Sequence, residues 1–211
     1  MKPKMDYSLY LVTDRKLMAA DKIEDCVEQA ILGGCTLVQL REKDAGSHEF
    51  YHTALRVREV TARLGVHLII NDRADIALAV DTDGLHIGQG DLPYAAARRI
   101  VGQDKIIGVS AGNVSEALEA AAMGADYLGV TMFTTGTKAD TTLTSMDELK
   151  RIREKIKIPI VVIGGINKTT LPLFKRTGID GIAVVSAIVS QNDPARAARE
   201  LKILLEDVLR K

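Results

Sequence analysis

Gln39, Arg41 and Lys43 fall at alternate positions around Leu40 and Glu42. On an extended strand a period of two turns these three toward one face and Leu40 toward the other. Arginine offers a forked pair of donors and lysine a compact charge, a combination suited to phosphate oxygens. A salt-bridged rim, in which the cations pair with Glu42 and Asp44, accounts for the same residues. Asn71-Asp72 closes the apolar run that begins at His67, and Asp91 ends the stretch that begins at Gly84. Asn-Asp alone is also a helix-cap signal. With Asp91 at a neighbouring strand end, however, two carboxylates could hold Mg2+ and leave positions for water and substrate phosphate. Transition-metal ligation is the weaker reading, because His86 sits mid-strand with no Cys or second His beside it.

Further along, Gly108-Val109-Ser110 delivers a hydroxyl with no acid or histidine at a spacing that would activate it, so Ser110 reads as a hydrogen-bonding group. The run Thr134 to Asp140 is rich in hydroxyls and holds one cation, Lys138; an ordinary solvated loop has the same composition. Gly164-Gly165 and Val185-Ser186 end two later strands. Glycine there permits close backbone approach, and amides after the last two strands of an α/β barrel form a recurrent phosphate site. That signal points to a phosphate without naming a reaction.

These residues need a scaffold that gathers strand ends, and the rest of the chain predicts one. Short β-rich runs at 9–13, 37–43, 67–71, 84–88, 106–110, 127–132, 158–163 and 181–186 alternate with amphipathic windows. Ile23, Val27, Ala30 and Ile31 make one such helical stripe, and Val114, Ala117, Leu118, Ala121 and Ala122 another. Gly33-Gly34, Gly65, Gly124 and Gly178 each stand shortly before a strand, where a helix C-terminus favours a left-handed residue. Repeated strand–helix units imply parallel strands covered by helices. Closure of eight units into a single (β/α)8 TIM barrel over residues 1–211 is the expectation, with an open doubly wound sheet as the alternative.

Lysine plus arginine equals aspartate plus glutamate, 28 each, so no overall field draws the chain to nucleic acid or anionic lipid. Cys26 and Cys35 lack metal-ligand spacing and read as buried reduced thiols. Met1 to Asp6 leads directly toward a strand without a signal-peptide run, and no apolar stretch approaches the ~20 residues that span a bilayer. A cytoplasmic location is expected. Small residues on the outer helices leave a homodimer open, with no legible interface.

Taken in order, Val38 to Lys43, Ile70-Asn71-Asp72, Gly84 to Asp91, Gly108 to Ala111, Thr135 to Lys138 and Ile163 to Ile166 resemble the thiamine phosphate synthase family over nearly the whole chain. The resemblance implies a pyrimidine diphosphate and a thiazole phosphate as substrates, joined with release of pyrophosphate. It implies that Gln39, Leu40, Arg41, Glu42 and Lys43, with Asn71, Ser110 and Lys138, bind the pyrimidine, and that Asp72 and Asp91 hold Mg2+. Thr135, Gly136 and Thr137, with Gly165, Val185 and Ser186, would surround the thiazole phosphate. Arg41, Lys43 and Lys138 would meet the leaving charge, and Ser110 would serve as a hydrogen-bonding group. Val130 to Thr134 departs from the family pattern, being one residue short and lacking its prolines. A related thiazole phosphate isomerase, or a noncatalytic phosphate-ligand sensor, would keep the barrel; retention of Asn71-Asp72, Asp91 and Thr137-Lys138 argues for the synthase.

Overall fold

A computed structural model describes residues 1–133 and 143–210. Its eight strands are parallel and close into one barrel in sequence order, which excludes the open sheet. They are β1 Leu9–Val12, β2 Leu37–Leu40, β3 His67–Asn71, β4 Gly84–Ile87, β5 Ile106–Ser110, β6 Tyr127–Thr131, β7 Ile160–Ile163 and β8 Gly181–Val184. The helices are α1 Ile23–Leu32, α2 Ser47–Arg63, α3 Ala74–Ala79, α4 Tyr94–Val101, α5 Val114–Met123, α6 Met146–Lys155, the short α7 Ser186–Val189, and α8 Pro194–Leu209. Between β7 and β8 the crossover holds only a 3-10 turn, Leu171–Phe174.

Strand alternation sorts the core into two shells. Leu11, Val38, Leu40, Leu68, Ile70, Leu85, Ile107, Leu128 and Val162 face outward and are buried beneath the helices. Tyr10, Leu37, Ile69, Ile106, Tyr127, Val161 and Ala183 face inward and fill the lower barrel. The predicted stripe of α1 holds, with Ile23, Cys26, Val27 and Ala30 buried. In α5, Asn113 caps by accepting the Glu116 amide and Gly124 closes the helix at φ 94°. Cys26 and Cys35 are free and buried, as read from their surroundings in the chain. Among the described residues no helix is long and apolar enough to cross a membrane.

Several details differ from expectation. Gly33 is right-handed, at φ −80°, and the left-handed position is Gly34, at φ 110°; Gly33 is required instead because a Cβ there would strike the Ala195 carbonyl and Ala198 on α8. β2 ends at Leu40, not at 43, because the Arg41 amide leaves the backbone ladder and donates to Thr13 Oγ1 at 3.0 Å. Strand alternation therefore orients Gln39 but does not extend to Lys43. β1, β4, β6, β7 and β8 are likewise shorter than expected, with Val185 capping α7 and Ser186 beginning it.

Candidate active site

One cavity opens within the barrel and is lined by groups from all eight strands or their ends, including Tyr10, Gln39, Arg41, Asn71, His86, Ser110, Tyr127, Thr131, Gly164 and Ala183. Gln39, on the inward face of β2, donates from Nε2 to the Tyr10 hydroxyl at 2.8 Å. Leu40 points the other way and is fully buried in the outer shell, so only its backbone is near the mouth. Arg41 lies just past the strand, and its Nη1 donates to Asp14 Oδ2 at 2.9 Å. Asp14 also accepts the Lys16 amide through its other oxygen, 3.1 Å away, which fixes the carboxylate from two sides.

Glu42 is buried and accepts from Arg15 Nε at 2.9 Å, while its Oε1 has no hydrogen-bond partner among the described residues. Burial pushes its carboxyl above the ordinary range, and Arg15 offsets only part of that. Lys43 is exposed and lies in an outer groove that it shares with Arg41, Asp14, Arg15 and Lys16. Lys16 pairs with Asp44 at 2.7 Å. The salt-bridged rim is therefore present, but its cations are Arg15, Lys16 and Arg41; Lys43 is not among the residues that line the central cavity. It stands on the groove that Arg41 connects to that cavity.

Asn71 ends β3 inside the cavity. Asp72 follows with φ 64°, a left-handed conformation, and its amide donates to the His86 carbonyl at 2.9 Å. That turn ends the strand at Asn71 and ties the Asp72 backbone to β4. Asp91 returns over the same rim, with Oδ2 accepting the Gly88 amide at 2.7 Å. The two acids thus occupy neighbouring strand ends, and their hard oxygen donors suit Mg2+. Among the described residues no group of three or more His, Cys, Asp or Glu could hold a metal.

Ser110 ends β5, with its Oγ 3.0 Å from His86 Nε2. At the other side of the mouth, Gly164 and Gly165 have φ 93° and 62°, and Cβ atoms there would crowd Phe133. Phe133 packs edge-on to Phe174, with ring centroids 5.9 Å apart. Val185 is half-buried and Ser186 is exposed at the β8 end. Thr135, Gly136, Thr137 and Lys138 lie outside the described residues.

Sequence reasoning missed Tyr10 and Tyr127, weighed His86 only as a metal ligand, and did not single out Asp14 or Arg15. The signal for the tyrosines was present: each stands at an inward parity in an otherwise apolar strand. Gly108 faces Tyr127 with no side chain of its own, since a Cβ there would overlap the phenol ring.

Residues 9–188 match the family model described as thiamine monophosphate synthase. The thiamine-phosphate synthase of Clostridium beijerinckii is 61% identical over 203 residues, covering 96% of this chain and 97% of that protein. The thiamine-phosphate synthase of Clostridium botulinum strain Eklund 17B is 59% identical, covering 96% and 95%. The solved structure of a thiamine phosphate pyrophosphorylase from Pyrococcus furiosus superposes with a TM-score of 0.89 at 38% identity, covering 97% of this chain and 98% of that one. The chain belongs to the thiamine monophosphate synthase family.

Proposed function

We propose that this transferase joins 4-amino-2-methyl-5-(diphosphooxymethyl)pyrimidine to 4-methyl-5-(2-phosphooxyethyl)thiazole, forming thiamine phosphate and pyrophosphate. The supporting observation is that Gln39, Arg41, Asn71 and Ser110, remote in sequence, line one cavity beside the Asp72–Asp91 rim. In the reaction the C–O bond to the diphosphate breaks, its electrons leave with pyrophosphate, and the thiazole nitrogen lone pair forms the new C–N bond. No protein nucleophile is needed.

Arg41, held by Asp14, meets the charge that grows on the leaving oxygens, where an organised donor in a partly dehydrated site is worth most. Lys43 and Lys138 have the same role in the proposal, Lys43 from the outer groove. Mg2+ on Asp72 and Asp91 would supply further neutralisation of the diphosphate. Asn71 and Ser110 orient the pyrimidine, whose ring lies between the inward walls of β3 and β5. Gly165, Val185 and Ser186, with Thr135, Gly136 and Thr137, receive the thiazole phosphate at the opposite side. Holding both rings in one cavity turns a bimolecular encounter into a near-attack arrangement.

A cytoplasmic reaction is part of the proposal, supported by two free thiols, and so is a homodimer, for which exposed Ile203 and Leu204 on α8 offer an apolar surface. Chromatography of a mixture of both substrates, Mg2+ and protein tests the reaction. Thiamine phosphate should form only when all are present; formation without Mg2+ would remove the metal from the scheme.

A further inference from the structure

Five side chains from five strands join into one hydrogen-bonded arc across the barrel. Gln39 Nε2 donates to the Tyr10 hydroxyl at 2.8 Å, and the Tyr10 and Tyr127 hydroxyls are 2.9 Å apart. The Tyr127 hydroxyl lies 2.9 Å from His86 Nδ1, and His86 Nε2 lies 3.0 Å from Ser110 Oγ. All five line the cavity, and the two ends, Gln39 and Ser110, lie on opposite walls of it. Small neighbours make the arc possible: Gly108 leaves room for the Tyr127 ring, and Gly129 lies against the His86 ring.

Such an arc has a direction. Burial pushes both phenols well above their ordinary range, so each keeps one proton and can donate once. Tyr10 accepts from Gln39, and among the described residues its only acceptor is Tyr127. Tyr127 therefore gives its own proton to His86 Nδ1. A neutral imidazole that accepts at Nδ1 carries its proton on Nε2, and donates there to Ser110. Ser110 is left with its own proton for the cavity. Gln39 lines the cavity with its amide nitrogen engaged by Tyr10, which leaves its carbonyl oxygen as the side chain's acceptor.

We propose that Tyr10 and Tyr127 are positioning residues that act through His86, fixing Ser110 as a donor and Gln39 as an acceptor toward the ligand ring. The two ends cannot reverse independently. The cavity then matches a heterocycle presenting an acceptor ring nitrogen together with an amino group, and opposes the oxo counterpart, whose donor and acceptor are exchanged. This specificity rests on the pyrimidine reading above; the direction of the arc does not.

Two measurements separate these levels. Long-range 15N–1H correlation on the ligand-free protein reads the His86 tautomer, with assignment by His86→Asn. The parent should show a single Nε2–H form, and Tyr127→Phe, which deletes one oxygen and keeps the ring, should lose that single form. Tyr10→Phe, one link farther away, should do the same and serves if Tyr127→Phe does not fold. An Nδ1–H parent, or an unchanged tautomer in a folded variant, would overturn the arc. Rates with the amino and 4-oxo pyrimidine diphosphates test the consequence. Tyr127→Phe should lower the amino-over-oxo preference in kcat/KM by about tenfold, the worth of one net hydrogen bond. An unchanged preference would overturn the specificity role, whereas no turnover of either substrate by the parent would instead sink the synthase reading and leave the tautomer result standing.

Discussion

Arg41 keeps its place at the cavity through Asp14, a residue on the preceding loop, and not through the strand it follows. The pair is nearly buried, with side-chain exposures of 12% and 13%, so loss of either partner would leave the other charge poorly solvated. At the rim proposed to hold Mg2+ the informative changes are Asp72→Asn and Asp91→Asn. Asparagine tolerates the left-handed backbone of Asp72, so the first variant removes charge without forcing the turn open. Each should raise the Mg2+ concentration for half-maximal rate by at least about tenfold, since even an outer partner of a metal ligand has that effect. Magnesium titration of the rate decides it, and an unchanged requirement in both would return these acids to capping and turn roles. Single residues were legible where alternation was unbroken: Gln39, Asn71 and Ser110 reach the cavity as their parity requires. Lys43 did not, because a side-chain hydroxyl on Thr13 ended the ladder two residues earlier. Tyr10 and Tyr127 escaped notice because a tyrosine in an apolar strand reads as core until its hydroxyl partner is seen.

Elements are tied together at the barrel floor by a repeated clamp. Asp83, Asp126 and Asp180 each accept a strand amide through Oδ2, from Leu68, Ile107 and Ile160, at 2.8, 2.8 and 2.9 Å. Each also pairs with an arginine on an earlier helix, Arg58, Arg98 or Arg153. The carboxylate thereby joins the edge of one strand to the start of the next and anchors the covering helix. Buried Arg98 adds bonds to the Gly102 and Lys105 carbonyls at 2.8 and 2.6 Å. Asp126→Ala should therefore lower unfolding stability by about 3 kcal/mol, because it removes the counter-ion of a buried guanidinium and the acceptor of a strand amide together. The floor is remote from the mouth, so the Michaelis constants of the folded variant should not move. Urea denaturation beside steady-state kinetics checks both halves, and a stable variant with altered substrate affinity would contradict this division of labour. Strand existence and order were legible from β-rich runs and turn residues; strand ends were not, since side chains such as Thr13 set them. The clamps were also invisible, because an acid just before or within a strand start reads only as a turn.

At the scale of the molecule, parallel closure brings the ends of β2, β3, β4 and β5 to one mouth, although Gln39 and Ser110 lie far apart in the chain. The same closure seals Cys26 and Cys35 in the outer shell. Burial pushes the Cys26 thiol up to about 11 and the Cys35 thiol higher still. At pH 8 only about one Cys26 in a thousand would be ionised, so a disulfide reagent should label neither thiol in the native protein and both after unfolding. Rapid native labelling would mean that this wall of the barrel opens. The whole chain's function is tested most directly by following both products together. With stoichiometric pyrimidine diphosphate, thiazole phosphate and Mg2+, phosphorus NMR should show thiamine phosphate and pyrophosphate appearing in equal amounts as both substrates disappear. A folded protein that leaves both substrates intact, or converts the thiazole phosphate alone without releasing pyrophosphate, would contradict the account.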